Sequence, residues 1–292
     1  MEIVKFKWKK ETPEDFIVKE IAEYPIIDNG THYLYLLAKR NLTTKELARK
    51  LNFSYAGMKD KLALTFQFIS FQDFKGNFIR ENMDSQSWFI LKFIGQIGRK
   101  IKIGQLKGNR FGIKINDLKI NYRQQFINYY DIQRIHTNRV KGKNLLKKLS
   151  VENKRKLTWR ENIYIDGYLG YLWNKSFEGF LKENFNGNYI EEKGEPFFIV
   201  NRKDEIINLP KFWTILGYKK KLLESENYYK QLLKEEGFEL NDFLSLMKKL
   251  RIKGDYRMSY INVRNFKQVN DRIFFFLPKG AYATMYLKHL QI

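Results

Sequence analysis

Apolar and polar positions alternate in short stretches toward both ends of the chain and switch to a helical period through its middle. Val4, Phe6 and Trp8 interleave with Lys5, Lys7 and Lys9, the pattern of a half-buried strand. Thr12-Pro13-Glu14-Asp15 interrupts it, and residues 16–20 resume an extended pattern. Asn29-Gly30 marks a turn ahead of a strand predicted over residues 33–37. Leu47, Ala48 and Leu51 then share one face of a predicted helix that opens at Thr44, its N-cap candidate. Leu62, Leu64, Phe66 and Phe68 alternate again and predict a strand. Two strands around a glycine-containing connection are predicted across residues 99–115. Helical spacing governs residues 164–180, 222–237 and 242–250, and a strand, a turn and a short helix close the chain from Ile273. No internal repeat or low-complexity stretch is visible.

A chain of 292 residues with 43% apolar content can bury a large core and has room for two domains. Lys and Arg number 54 against 32 Asp and Glu, a formal net charge of +22. Self-repulsion on that scale destabilises a compact state, so a polyanion, nucleic acid first, is the natural partner. Aromatic residues reach 16%, enough to fill a core and leave rings for stacking on bases. Cysteine is absent, which excludes disulfides, thiolate metal sites and cysteine nucleophiles. His32, His136 and His289 are too few and too scattered to suggest a metal site. No apolar run approaches the ~20 residues of a membrane span, and residues 1–10 lack the apolar stretch of a secretory signal. The expectation is a cytoplasmic, monomeric protein that binds nucleic acid and neither metal nor membrane.

Residues 57–61 place one carboxylate, Asp60, between Lys59 and Lys61 on what reads as an exposed turn. A carboxyl group with the ordinary pKa of about 3.9 is ionised at neutral pH, hence a poor acid but a standing nucleophile or base. A solvated turn residue would look the same, and spacing leaves both readings open. Farther on the charge is one-sided. Arg134, Arg139, Lys141, Lys143, Lys147, Lys148, Lys154, Arg155, Lys156 and Arg160 meet one acid, Glu152, before Glu161. Solvated helix faces usually mix signs, so this run is predicted to contact phosphates.

The stretch around Asp60 closely resembles the signature of the TruD family of tRNA pseudouridine synthases. Ala56, Gly57, Lys59, Asp60, Ala63, Thr65 and Gln67 fill the pattern A-G-x-K-D-x-x-A-x-T-x-Q without a mismatch. Other matches follow in family order. They are Pro13 to Phe16 with Val18 and Glu20, then Lys39, Arg40 and Asn41 with Thr43 or Thr44, and Leu106 to Asn109 with Phe111. Trp173-Asn174, Gly254 with Arg257, and Leu277, Pro278, Gly280 and Tyr282 to Thr284 complete the set. The match over residues 128–136 is imperfect: Asp131, Ile135 and His136 stand where the family carries glycine, phenylalanine and glycine.

The resemblance implies an α+β fold: a pseudouridine synthase core with a large mixed or antiparallel sheet flanked by helices, and a mostly helical inserted domain. The core would comprise residues 1–127 and 259–292, and the insertion residues 128–258. It further implies isomerisation of a uridine in tRNA, typically at position 13, without a cofactor. Asp60 falls on the family's nucleophilic aspartate, and Lys10 on the lysine that pairs with it. Phe16, Asn109, Phe111 and Tyr282 would capture the extruded base. A non-catalytic basic RNA-binding protein or RNA chaperone would share the charge and aromatics without needing Asp60. An RNA methyltransferase would need a glycine-rich nucleotide loop after a strand, which the sequence lacks.

Overall fold

The computed structural model describes residues 3–116, 118–152, 156–201 and 209–292. The first half runs β1 (Ile3–Lys5), β2 (Phe16–Ile21), β3 (His32–Arg40), α1 (Thr44–Leu51), β4 (Ser54–Tyr55), β5 (Leu64–Phe71), β6 (Phe78–Asn82), β7 (Trp88–Ile97), β8 (Gly108–Lys114) and β9 (Gln125–Ile127). The second half runs α2 (Ile132–Val151), α3 (Trp159–Asn184), β10 (Gly187–Glu192), β11 (Glu195–Val200), β12 (Phe212–Ile215), α4 (Glu226–Glu236) and α5 (Leu240–Lys249). It ends with β13 (Asp255–Met258), β14 (Tyr260–Asn262), β15 (Arg264–Val269), β16 (Arg272–Pro278) and α6 (Ala283–Gln291). The fold is α+β.

Two compact units divide the chain. One comprises Lys7–Leu118 and Val263–Ala281 and holds a single nine-stranded sheet. Its order is β15-β16-β8-β2-β5-β3-β7-β6, with β4 beside β5. Only β2 and β5 pair in parallel; the other pairings of this sheet are antiparallel. A parallel pair needs a crossover between its strands, and here β3, α1 and β4 supply it.

Register decides which side chains share a face. Val18 lies opposite Thr65 on one side and Phe111 on the other, and Glu20 lies opposite Asn109. Phe275 lies opposite Phe111, and Lys39 opposite Thr65. Side chains alternate with period two, so Phe16, Val18, Glu20, Thr65, Gln67, Leu37, Lys39, Asn109, Phe111 and Phe275 all project from one face. Helix α1 packs on the same face through Leu47, against Tyr35, Leu37, Ile69, Phe89 and Leu91. Its cap is Thr43, whose hydroxyl accepts from Glu46 N; Thr44, the expected cap, is the first helical residue and is buried. Residues 101–107 carry no strand, only a turn at 103–104, so the two strands predicted around a glycine there reduce to β8 alone.

The second unit comprises the chain up to Phe6, Lys119–Asn262 and Tyr282–Ile292. Its helices bury Leu146, Leu149, Tyr168, Leu172, Tyr229, Leu233, Phe243 and Met247 in a common core. Strand β9 pairs with β14, and β1 with β10, inside this unit. The chain passes between the two units near residues 118 and 262. The C-terminal segment from Tyr282 joins the helical unit because Lys288 and Thr284 both bond the Asp131 carboxylate there. Asp131 itself has φ −75°, an ordinary extended conformation, so a glycine is not required at that helix start.

Candidate active site

The segment from Tyr55 to Leu64 leaves β4 and returns to β5 as a loop whose backbone is tied down at several points. Lys59 N donates to the Thr44 hydroxyl, which donates in turn to Gln67 Oε1, while Gln67 Nε2 donates to Gly57 O. Lys39 Nζ donates to Asp60 O at 3.0 Å and to Leu42 O at 2.7 Å. Lys39 thus fastens the main chain of the loop with its side chain, and Lys59 with its backbone N–H. Lys59 was expected on an exposed turn; it is buried, and its ammonium lies 2.5 Å from Glu20 Oε2, whose side chain is fully buried. Burial raises the Glu20 pKa while Lys59 opposes the rise.

Asp60 itself is held at both oxygens. Leu62 N donates to Oδ1 at 2.9 Å, and Lys10 Nζ donates to Oδ2 at 2.9 Å. The carboxylate keeps 29% of its side-chain exposure and Lys10 keeps 19%. It is thus fixed in direction yet open to a partner from solvent. Lys10 Nζ also stands 5.2 Å above the Phe16 ring, so one ammonium joins the carboxylate to the aromatic wall.

That wall is a row of rings. Trp8 and Phe16 lie 5.8 Å apart, Phe16 and Phe111 5.8 Å, and Phe111 and Phe275 are stacked at 5.4 Å. Phe16 and Phe111 are both buried, which gives them a packing role beside any role toward a base. Asn109 lies two residues from Phe111 on the same sheet face. Among the described residues, its buried Oδ1 meets no hydrogen-bond donor. Gly108 precedes it where β8 passes close to β16: a Cβ there would stand 2.2 Å from Leu277 O. The N-terminal motif is partly structural. Glu14 accepts a two-pronged bond from Arg40, and Asp15 accepts from Glu11 N and Thr12 N.

Asp60, Lys10, Phe16, Asn109 and Phe111 therefore fall within the sheet unit, and Tyr282 within the helical one. Tyr282 lies 6.4 Å from Tyr130, and the Arg257 guanidinium stands 4.0 Å from the Tyr130 ring and 5.8 Å from that of Tyr282. Arg257 also donates to Asn128 O and Oδ1, so the motif pieces at 128–134, 257 and 282 interlock. Sequence reasoning gave Glu20 no role of its own and took Lys39 for part of a basic approach. The available signal was phase: each is in register with the apolar residues of its own strand.

The basic run on α2 divides in two. Arg139 pairs with Glu195, and Lys143 with Glu236 at 2.7 Å, both half-buried. Arg134, Lys141, Lys147 and Lys148 are exposed; Arg134 pairs with Asp166 at 3.2 Å and Lys148 with Glu152 at 3.5 Å. Lys154 and Arg155 lie outside the described residues. Among the described residues no group of His, Asp and Glu could hold a metal ion, and no helix is long and apolar enough to cross a membrane.

The family model of tRNA pseudouridine synthase D (TruD) matches residues 9–153 and 160–290. "Probable tRNA pseudouridine synthase D 1" of Methanococcus maripaludis is 26% identical, over 98% of this chain and 99% of that protein. "tRNA pseudouridine synthase D" of Nitratiruptor sp. is 28% identical, over 96% of this chain and 93% of that one. The fold matches the crystal structure of the Methanosarcina mazei protein of the same family name, with a TM-score of 0.61 at 19% identity. That match covers 97% of this chain and 93% of the other. Fold and sequence together define a pseudouridine synthase, an isomerase. Within that class the chain belongs to the TruD family.

Proposed function

We propose that this enzyme converts a uridine of tRNA, the position-13 uridine by resemblance to its family, into pseudouridine, with Asp60 as the group that acts on the sugar. The observation that carries the reading is the double anchoring of a still accessible carboxylate: Leu62 N on one oxygen and Lys10 on the other. Such a group is oriented before substrate arrives, which is where proximity catalysis gains most.

The chemistry follows from the product. The N1–C1′ bond breaks with its electron pair passing to the uracil, leaving C1′ electron-poor, the same problem that glycosidases meet with carboxylates. Asp60 acts either by bonding to C1′ or by taking the C2′ proton and later returning it. The uracil turns, C5 bonds to C1′, the C5 proton leaves and N1 gains a proton. Atoms and electrons balance within the substrate, so the reaction needs no oxidant, reductant or group donor. Asn109 Oδ1, with its unused acceptor capacity, suits an N–H of the turning uracil. Phe16 and Phe111 offer ring faces in the same row, and each stacked base is worth roughly 1–3 kcal/mol. The exposed cations of α2, Arg134, Lys141, Lys147 and Lys148, would grip phosphates away from the chemistry.

Asp60→Asn tests the assignment, since it keeps size and hydrogen bonding while removing the anion. In single-turnover assays on tRNA transcripts it should yield no pseudouridine, with tRNA affinity within a few-fold of wild type. Full yield from the variant would overturn the role given to Asp60.

A further inference from the structure

A single exposed apolar side chain is ordinary at a protein surface, but here two stand on the Asp60 loop and a third on a turn bonded to the start of that loop. Met58 is 67% exposed and Leu62 56%, one on either side of Asp60 in sequence. Ile103, 75% exposed, tips a separate turn formed by residues 102–105. The turn is tightly built. Gln105 N donates to Lys102 O, the Gln105 side chain accepts from Lys102 N, and Gly104 adopts φ +84°, a conformation that favours glycine.

This turn is seated on the catalytic motif. Gly104 N donates to Ala56 O at 2.7 Å, and Leu106 packs with Ala56 in a small cluster beside Ile97 and Ile101. Lys279 Nζ donates to Gly104 O at 3.1 Å, and the Tyr24 hydroxyl to Gln105 O at 2.7 Å. Ile103 is therefore held out on a braced support rather than on a loose loop. Cations accompany these tips along the chain: Arg99, Lys100 and Lys102 on the segment of Ile103, and Lys61 next to Leu62, are all exposed. Exposed apolar tips with lysine and arginine as chain neighbours fit a nucleic acid better than a protein or a membrane. The cations match phosphates, and the tips match the faces of bases.

We propose that Met58, Leu62 and Ile103 form an apolar wedge that takes the stacking place of the target uridine, covering the neighbouring bases once the uridine is extruded toward Asp60. This rests on the proposed reaction at a tRNA uridine. Enzymes that work on a base in a folded nucleic acid must unstack it first, and inserted apolar side chains are one established way to hold a step open. The wedge acts on the neighbours of the uridine and leaves bond breaking to Asp60.

The three residues are exposed, so polar replacements of similar size leave the core untouched; a thermal melt verifies this for each variant. Two variants are compared with wild type, Ile103→Asn and the pair Met58→Gln with Leu62→Asn. The probes are a tRNA transcript and a short unstructured RNA bearing the same uridine. A second transcript carries 2-aminopurine next to the uridine that wild type converts. On tRNA, single-turnover rates should fall about tenfold or more with affinity within threefold. The rise in 2-aminopurine fluorescence on binding should change, and the rate loss should shrink on the unstructured RNA. Wild-type rates on folded tRNA in both variants, or equal losses on folded and unstructured RNA, would overturn the wedge. Absence of pseudouridine from the wild-type reaction would instead overturn the proposed reaction, so the two failures are distinct.

Discussion

Lys39 Nζ lies 3.0 Å from the backbone oxygen of Asp60, in a side chain with no solvent exposure. The loop that carries the carboxylate is thus fastened through its main chain by a buried ammonium whose two partners are carbonyl oxygens, Asp60 O and Leu42 O. Burial lowers the Lys39 pKa from 10.5 to about 8; Asp60 counters the shift and Lys59 adds to it. Below about pH 8 both folded and unfolded chains hold this proton, and the full penalty of burying it applies. Between about 8 and 10.5 only the unfolded chain holds it, so stability rises with pH across that window.

Lys39→Met removes the titrating group, so the variant should lack this rise. Urea unfolding of both proteins at pH 7.5 and pH 10 measures it. The difference in stability should move in favour of wild type by roughly 2–3 kcal/mol, taking about 1.36 kcal/mol per pKa step. A neutral lysine still offers two N–H donors for the two carbonyls, so the loop stays fastened above pH 8 in wild type. The methionine offers none, and single-turnover rates should fall at every pH. An unchanged stability difference between the two pH values would mean that Lys39 titrates at its ordinary pKa.

The ion pair of Lys59 and Glu20 is closed off from solvent, with side-chain exposures of 4% and 0%. Removing one partner from such a pair costs about 3–5 kcal/mol, because the other is left buried and uncompensated. Lys59→Met should lose that much at neutral pH by urea unfolding. Since burial already raises the Glu20 pKa, losing Lys59 removes the effect that opposed the rise. A raised carboxyl pKa makes stability fall as pH climbs from 4.5 through the folded value. The loss in Lys59→Met should therefore shrink on acidification, and adding Glu20→Leu should recover most of it. A double variant as weak as the single one would show that the pair is not the source of the effect.

The buried lysines Lys39 and Lys59 mark what the sequence could and could not convey. Asp60, Lys10 and the aromatic pair Phe16 and Phe111 were legible because each sits in a motif, and the sheet register brings three separated strands together. Lys39 and Glu20 were hidden by their type: a charged residue is ordinarily placed at a surface. Their phase told otherwise, with Lys39 following Tyr35 and Leu37, and Glu20 following Phe16 and Val18, on the buried side of β3 and β2. On α2 the failure was one of distance. The acids that meet Arg139 and Lys143 are Glu195 and Glu236, far along the chain, so a local charge count could not see them.

Asn109 offers a test in which activity and stability should move in different directions. Its Oδ1 is buried and meets no donor among the described residues. An unsatisfied buried polar atom costs about 1–3 kcal/mol. Asn109→Ala should therefore leave thermal stability equal to or above that of wild type while slowing pseudouridine formation at least tenfold. A residue with a purely structural role would lower the melting temperature when truncated. A destabilised variant with a normal single-turnover rate would remove Asn109 from the site.

The divided surface of α2 predicts which lysines RNA should feel. Lys141, Lys147 and Lys148 are exposed, whereas Lys143 is half-buried against Glu236. Each phosphate neutralised contributes about 0.7–0.9 to the slope of log affinity against log salt. Replacing Lys141, Lys147 and Lys148 with Gln should flatten that slope by about 2–3 if all three touch phosphate. Saturating tRNA should restore most of the turnover rate, because these side chains lie outside the Asp60 unit. Lys143→Gln should leave the slope nearly unchanged and lower stability instead, since its ammonium already serves Glu236. Fluorescence titrations at several salt concentrations, with melts run alongside, separate the two behaviours. A triple variant with the wild-type slope would move the phosphate contacts off α2, toward the exposed cations Arg99, Lys100 and Lys102 on the segment of Ile103.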